Sequence, residues 1–221
     1  MVTNQIFLYI SFVSIFLTAL AMSKQNHLLD NIKTYAFQSF CIFILNIILL
    51  TEDFSVHLLI SAAILLILKV TIFPIALSRI LKTLHIKDQF ENIINIQFIF
   101  IAIGAITAFC FLIFPYEELG FLNEQTYHVI PLALSISFIG LILMINRTKT
   151  ISQILGFLVM ENGITLAILF GARSFSSVLE FGLAIDLLIG VIIMGIFSNR
   201  IKQDLEHIEV KELNTLKDVG E

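Results

Sequence analysis

Seven long apolar runs, at about 5–22, 35–50, 56–78, 93–114, 128–146, 151–171 and 177–198, constrain this chain more than any other feature. Each approaches or reaches the roughly 20 residues that a helix rising about 1.5 Å per residue needs to cross a hydrocarbon layer ~30 Å thick. The runs are continuous, not alternating, which argues against membrane-spanning strands. Apolar residues fill 58% of the 221 positions and charged residues 14%, against about half and about a quarter in a soluble domain. The expected fold is all-α, a polytopic membrane protein with about seven transmembrane helices.

The connectors between the runs alternate in charge. Those at about 23–34, 79–92 and 147–150, with the stretch from Asn199 onward, carry Lys24, Lys33, Arg79, Lys82, Lys87, Arg147, Lys149, Arg200, Lys202, Lys211 and Lys217. The connectors at 51–55, 115–127 and 172–176 hold only Arg173, beside Glu52, Asp53, Glu117, Glu118 and Glu124. Lys and Arg concentrate in short cytoplasmic loops, so the N-terminus is expected outside and the C-terminus in the cytoplasm. The first run lacks a basic flank before it and a small-residue cleavage site after it, and is expected to be a retained helix.

Charges also occur where they are expensive. Glu161, followed by Asn162, lies near the middle of GFLVMENGITLAILF, and Asp186 occupies the same place in the next run. Ionisable groups at such depth usually face a protein interior or a water cavity and mark ion pathways. A carboxyl in a low dielectric favours its neutral form unless a cation sits nearby. Glu161 and Asp186 are thus candidates for proton uptake and release. The alternative is structural, a fixed ion pair or a protonated acid bonded to Asn162 or to a backbone carbonyl.

The third buried charge is Lys69. Pro74, five residues on, brings no N–H to the carbonyl four residues before it, that of Val70, so a kink beside Lys69 is expected. Lys69 is a candidate for the same path, with snorkelling along its stem toward the cytoplasmic headgroups as the alternative. Gln38 and Asn46, eight residues apart, share one face of the second run and are possible supporting groups, as are Asn162 and Glu180. Glu180 and Arg173 lie near the outer surface, where an exposed pair contributes little.

Small residues form two stripes, Gly156, Gly163 and Ala167 in the sixth run and Gly182 and Gly190 flanking Asp186 in the seventh. Such spacing lets another backbone approach closely. Cys41 and Cys110 stand alone inside apolar runs, with no spacing that suits zinc, haem or an iron–sulfur cluster. No phosphate-binding loop or nucleophile elbow is present. The chain is expected to hold no cofactor or metal, to be no enzyme on its own, and to bind no nucleic acid. Beyond Asn199, Ile201, Leu205 and Ile208 fall at helical spacing, compatible with a cytoplasmic amphipathic helix.

The last three runs resemble the small K subunit of bacterial complex I and its small antiporter relative. The shared features are the basic Arg147 and Lys149, then Gly156 and Glu161, then Asp186 ahead of Ile189 and Gly190. Two departures stand out: Glu161 follows its glycine about one turn later than in that family, and the second acid is Asp in place of Glu. Over a greater length the chain resembles the hydrogenase-4 component E family, through GFLVMENGI, LEFGLAIDLLIGVIIMGI and the combination of Lys69 with Pro74. The likeness is good over 128–198 and looser over 1–127. It implies a four-helix N-terminal part (1–127), a K-subunit-like three-helix part (128–198) and a cytoplasmic tail (199–221).

The resemblance further implies a non-redox subunit of a hydrogenase-4 or formate hydrogenlyase-like complex in a bacterial inner membrane. Its partners would be antiporter-like membrane subunits and a peripheral nickel–iron hydrogenase arm. Glu161, Asp186 and Lys69 would belong to a hydrated path for protons or sodium. A stand-alone transporter, an Mrp-type antiporter subunit and a purely structural assembly subunit are the competing classes. Inverted repeats, the usual mark of a secondary transporter, are not evident in the sequence.

Overall fold

The computed structural model describes residues 2–52, 54–83, 92–114 and 124–171. The seventh run, with Glu180 and Asp186, and the tail from Asn199 lie outside the described residues.

Regular structure among the described residues is helical, with an isolated bridge pairing Asn92 and Arg147. Six stretches are long and apolar enough to cross a membrane: Ile6–Lys24, Leu28–Thr51, Leu58–Lys82, Ile96–Ile113, His128–Asn146 and Thr150–Gly171. They match the first six apolar runs and make this a multi-pass membrane protein. The helices are α1 (Val2–Lys24), α2 (Leu28–Glu52), α3 (Val56–Ile64), a π-helical segment (Leu65–Ile72), α4 (Phe73–Thr83), α5 (Ile96–Ile113), α6 (Glu124–Asn146) and α7 (Thr150–Gly171).

Helix α2 begins seven residues before the expected start at 35, so only Gln25–His27 connect it to α1. Apolarity marks where a helix enters hydrocarbon and not where it starts. The polar first turns of α2 hold Asp30, whose charge suits the positive end of a helix dipole, and an exposed Lys33–Asp30 pair at 3.3 Å. The short connector is fixed by Asn31, which donates to the carbonyls of His27 at 3.0 Å and Gln25 at 3.4 Å.

The third span answers Pro74 with a change of register. Phe73 N–H donates to the Leu68 carbonyl, five residues back, and the Thr71 hydroxyl donates to the Leu66 carbonyl at 2.9 Å. In this register Pro74 stands opposite the carbonyl of Lys69, where a helix of four-residue steps would put it opposite Val70. The disturbance expected near Lys69 therefore takes the form of a widened helix across the residues that include it. Such segments are uncommon and recur at functional sites.

Two antiparallel hairpins organise the bundle. Helices α6 and α7, joined by Arg147–Lys149, pack with backbones nearly touching. A Cβ added to Gly140 would overlap the backbone of Met160 and lie 2.7 Å from the Gly156 oxygen; one on Gly163 would lie 2.6 Å from the Ala133 oxygen. The glycine stripe of α7 is thus spent on α6. The other hairpin, α1–α2, closes on α7, with Phe12 meeting Phe170 edge-on at a centroid distance of 5.2 Å. One apolar core runs through Ile15, Leu45, Leu65, Ile103, Val129 and Leu158, drawing on both sides of position 127. Helix α5 lies at the rim and turns Phe98, Ile101, Phe109 and Leu112 outward.

Arg147 fastens one end of the bundle. Its side chain, 2% exposed, donates to the Met22 carbonyl and, at 3.2 Å, to the Gln25 carbonyl, closing the C-terminus of α1. A cation there satisfies carbonyls that lack helical donors and faces the negative end of the dipole. Burial lowers the Arg147 pKa to about 10, so the group stays charged at neutral pH. Asn146 accepts Ile93 N–H at 3.0 Å on its carbonyl and Ile94 N–H at 2.8 Å on Oδ1. Asn92 donates to Asn26 Oδ1 at 3.3 Å. The connectors flanking Lys24, Asn92 and Arg147 therefore meet at one end, the arrangement their shared basic character requires.

Candidate functional site

Lys69 and Glu161 meet in the interior. Lys69 Nζ lies 3.4 Å from Glu161 Oε1, and the two residues are 1% and 2% exposed. Lys69 comes from the π-helical segment and Glu161 from α7. Nζ also donates to Thr165 Oγ1 at 2.9 Å, across 96 positions of sequence. The Thr165 hydroxyl donates in turn to the backbone carbonyl of Glu161 at 2.8 Å. That bond commits its hydrogen, so Thr165 presents lone pairs to the ammonium. Glu161 and Thr165 share a face because residues four apart on a helix do.

The arrangement answers the snorkelling alternative, since the ammonium is held inward between two side chains of α7. Burying both charges is costly, and their attraction offsets much of that cost only where further hydrogen bonds serve them. Removing one partner of such a buried pair typically costs about 3–5 kcal/mol. Chemically, the pair can move a proton between carboxylate and ammonium without changing its net charge.

Asn162 faces elsewhere. Consecutive residues on a helix diverge by about 100°, and Asn162 turns to α2, donating through Nδ2 to Gln38 Oε1 and to Ser39 Oγ, each at 3.1 Å. Gln38 Nε2 donates to the Ile15 carbonyl of α1 at 3.1 Å. Gln38, Ser39 and Asn162 are fully buried. This second cluster ties α1, α2 and α7 together at the depth of the ion pair.

Asn46, also fully buried, meets Ser61 of α3 at 2.8 Å. With its amide oxygen toward Ser61, it also accepts from Ala62 N–H and donates to the Leu58 carbonyl, each at 3.3 Å. Gln38 and Asn46 share a face of α2 as expected, but they serve different neighbours. Of the residues singled out in the sequence, Lys69 and Glu161 are brought together, while Asn162 joins Gln38. Glu180 and Asp186 lie outside the described residues.

Thr165 and Arg147 carry roles that their places in the sequence did not assign to them. Thr165 had a signal in its spacing from Glu161. Arg147 stood out only as part of a basic connector. Among the described residues no three His, Cys, Asp or Glu side chains gather as metal ligands would.

Comparison with known proteins adds little. No protein-family model matches the chain, and no solved structure matches it. Over 93 residues it is 28% identical to "Uncharacterized protein Rv0085" of Mycobacterium tuberculosis (strain ATCC 25618 / H37Rv), a stretch covering 42% of the chain and 42% of that protein. The match thus spans less than half of either protein.

Proposed function

We propose that the chain is a non-redox integral subunit of a complex I-related membrane complex of the hydrogenase-4 or formate hydrogenlyase type. In this reading its Lys69–Glu161 pair is one station of a proton path. One observation carries the proposal: opposite charges on the third and sixth spans form an ion pair deep in the bundle, at a π-helical segment, with the ammonium also donating to Thr165. Isolated charges at such depth are costly and usually functional. The resemblance of GFLVMENGI and of Lys69 with Pro74 to the hydrogenase-4 component E family supports the assignment to that class of complex.

In operation, a proton reaching Glu161 neutralises its carboxylate and weakens its hold on the ammonium. Departure of the proton restores the pair. On the family resemblance, Asp186 is the neighbouring station. Electrons travel through other subunits, among them a nickel–iron hydrogenase arm, and antiporter-like subunits adjoin this one in a bacterial inner membrane. The end fastened by Arg147 faces the cytoplasm.

Purification of the tagged chain from its own membrane tests the assignment, because the reading requires hydrogenase and antiporter-like subunits to accompany it. In that complex Glu161→Gln should retain hydrogenase activity with artificial electron carriers while forming a smaller proton gradient per electron. A chain that purifies alone, or a Glu161→Gln complex that pumps like the parent, would refute the proposal.

A further inference from the structure

The carboxamide of Asn162 is only half served. Its Nδ2 donates to Gln38 Oε1 and to Ser39 Oγ, each at 3.1 Å, while among the described residues no donor reaches Oδ1, which is sealed from solvent. Turning the amide over brings no remedy. Oδ1 would then face Gln38 Oε1, whose orientation is held by the bond from Gln38 Nε2 to the Ile15 carbonyl at 3.1 Å. Backbone N–H groups in the middle of α2 and α7 are committed to their own helices. An unmet acceptor is expensive in a low dielectric, and buried polar groups are nearly always satisfied by protein or by ordered water.

The neighbouring serine supplies a complementary group. Ser39 Oγ accepts a hydrogen from Asn162 Nδ2, so its own hydroxyl hydrogen points away from that nitrogen. Oδ1 and Nδ2 share one carbon, which keeps Ser39 Oγ close to Oδ1. A water making two O–H···O bonds of about 2.8 Å each bridges oxygens up to roughly 5.6 Å apart. An acceptor on α7 and a hydroxyl on α2 therefore stand within reach of one water.

We infer that a single buried water sits between α2 and α7, donating to Asn162 Oδ1 and accepting from the Ser39 hydroxyl. The chemistry of the two groups selects the ligand. A metal cation would take Oδ1 but brings no acceptor for the serine hydrogen, and an anion would face the lone pairs of the amide oxygen. Water both donates and accepts and carries no charge, which suits a site whose residues Gln38, Ser39 and Asn162 are neutral and fully buried. It completes the polar junction of α1, α2 and α7. The inference stands on that junction and is independent of the ion path.

The experiment uses the full-length chain in lipid nanodiscs. A structure at a resolution that shows ordered water should place one within hydrogen-bond distance of both Asn162 Oδ1 and Ser39 Oγ. In solution, cross-relaxation should link the Asn162 side-chain amide hydrogens to the water resonance, with the sign of a long-lived site. Ser39→Ala removes one of the two groups holding the water and should abolish that signal. Ser135→Ala, which removes a buried hydroxyl bonded to the Pro131 carbonyl at 2.7 Å, should leave it intact.

A protein donor on Asn162 Oδ1 in the refined structure, or an Oδ1 in dry apolar contact, would overturn the inference. So would a Ser39→Ala protein that keeps the full water signal. If Ser39→Ala does not accumulate, the parent structure and its cross-relaxation decide alone.

Discussion

Asn162 donates through Nδ2 to Gln38 Oε1, and a third residue fixes the direction of that bond. Gln38 commits its own Nε2 to the Ile15 carbonyl, which can only accept. Gln38 must therefore show its oxygen to Asn162, and Asn162 must answer with its nitrogen. The row runs one way and ends on a backbone oxygen. It orders three helices through amide groups, which do not ionise.

Gln38→Leu should consequently affect the fold and spare the coupling. Loss of a buried pair of hydrogen bonds costs about 1–3 kcal/mol, readable as a lower thermal midpoint of the purified chain. Proton gradient per electron in the assembled complex should stay at the parent level. A Gln38→Leu complex that remains intact and uncouples would place this row on the path after all.

The ion pair should reveal itself in a double-mutant cycle. Lys69→Met leaves a buried carboxylate without its ammonium and should destabilise by about 3–5 kcal/mol. Adding Glu161→Gln to Lys69→Met should recover part of that loss, giving an interaction energy on the order of 1–3 kcal/mol between the two sites. Additive effects in chemical or thermal unfolding would mean the two charges are not energetically linked.

Glycine positions divide sharply. At Gly140 an added methyl meets the backbone of α7, whereas at Gly104 nothing lies within 4 Å. Gly140→Ala should therefore force α6 and α7 apart and cost about 1–3 kcal/mol, as overpacking does. Gly104→Ala should be neutral or gain up to about 1 kcal/mol from helix propensity. Comparing the two thermal midpoints checks the claim directly.

Arg147→Ala should free the end of α1. Hydrogen bonds from a charged donor contribute roughly 1.5–3 kcal/mol each, so a loss of a few kcal/mol is expected. Arg147→Lys should recover little of it, because an ammonium lacks the planar fork that reaches two carbonyls together. Hydrogen exchange at the Met22–Asn26 amides would report the opened end.

Much of this architecture was legible in the sequence. Six of the expected apolar runs became spans, and the basic connectors foretold which loops share an end, since Arg147, Asn26 and Asn92 do meet. Pro74 announced a disturbance at Lys69. Whether a helix meets a missing N–H by bending or by widening depends on its neighbours, which sequence does not display. The meeting of Lys69 and Glu161 was hidden for the same reason: each was legible as a buried charge, but their pairing depends on which faces of α7 and the third span oppose each other. Asn162, adjacent to Glu161 in sequence, invited a joint reading that helical geometry separates.

The clasp formed by Arg147 also sets an order of events during synthesis. Arg147 follows its acceptor Met22 by 125 residues, a delay of about 6–25 s at the usual 5–20 residues per second. For that interval the first hairpin can enter the bilayer with Asn31 already serving the Gln25 carbonyl, but the Met22 carbonyl lacks its Arg147 donor. The N-terminal helices therefore wait for the sixth span's loop before their junction is sealed. A ribosome that stalls before Arg147 leaves an inserted hairpin whose Met22 carbonyl has not met its donor.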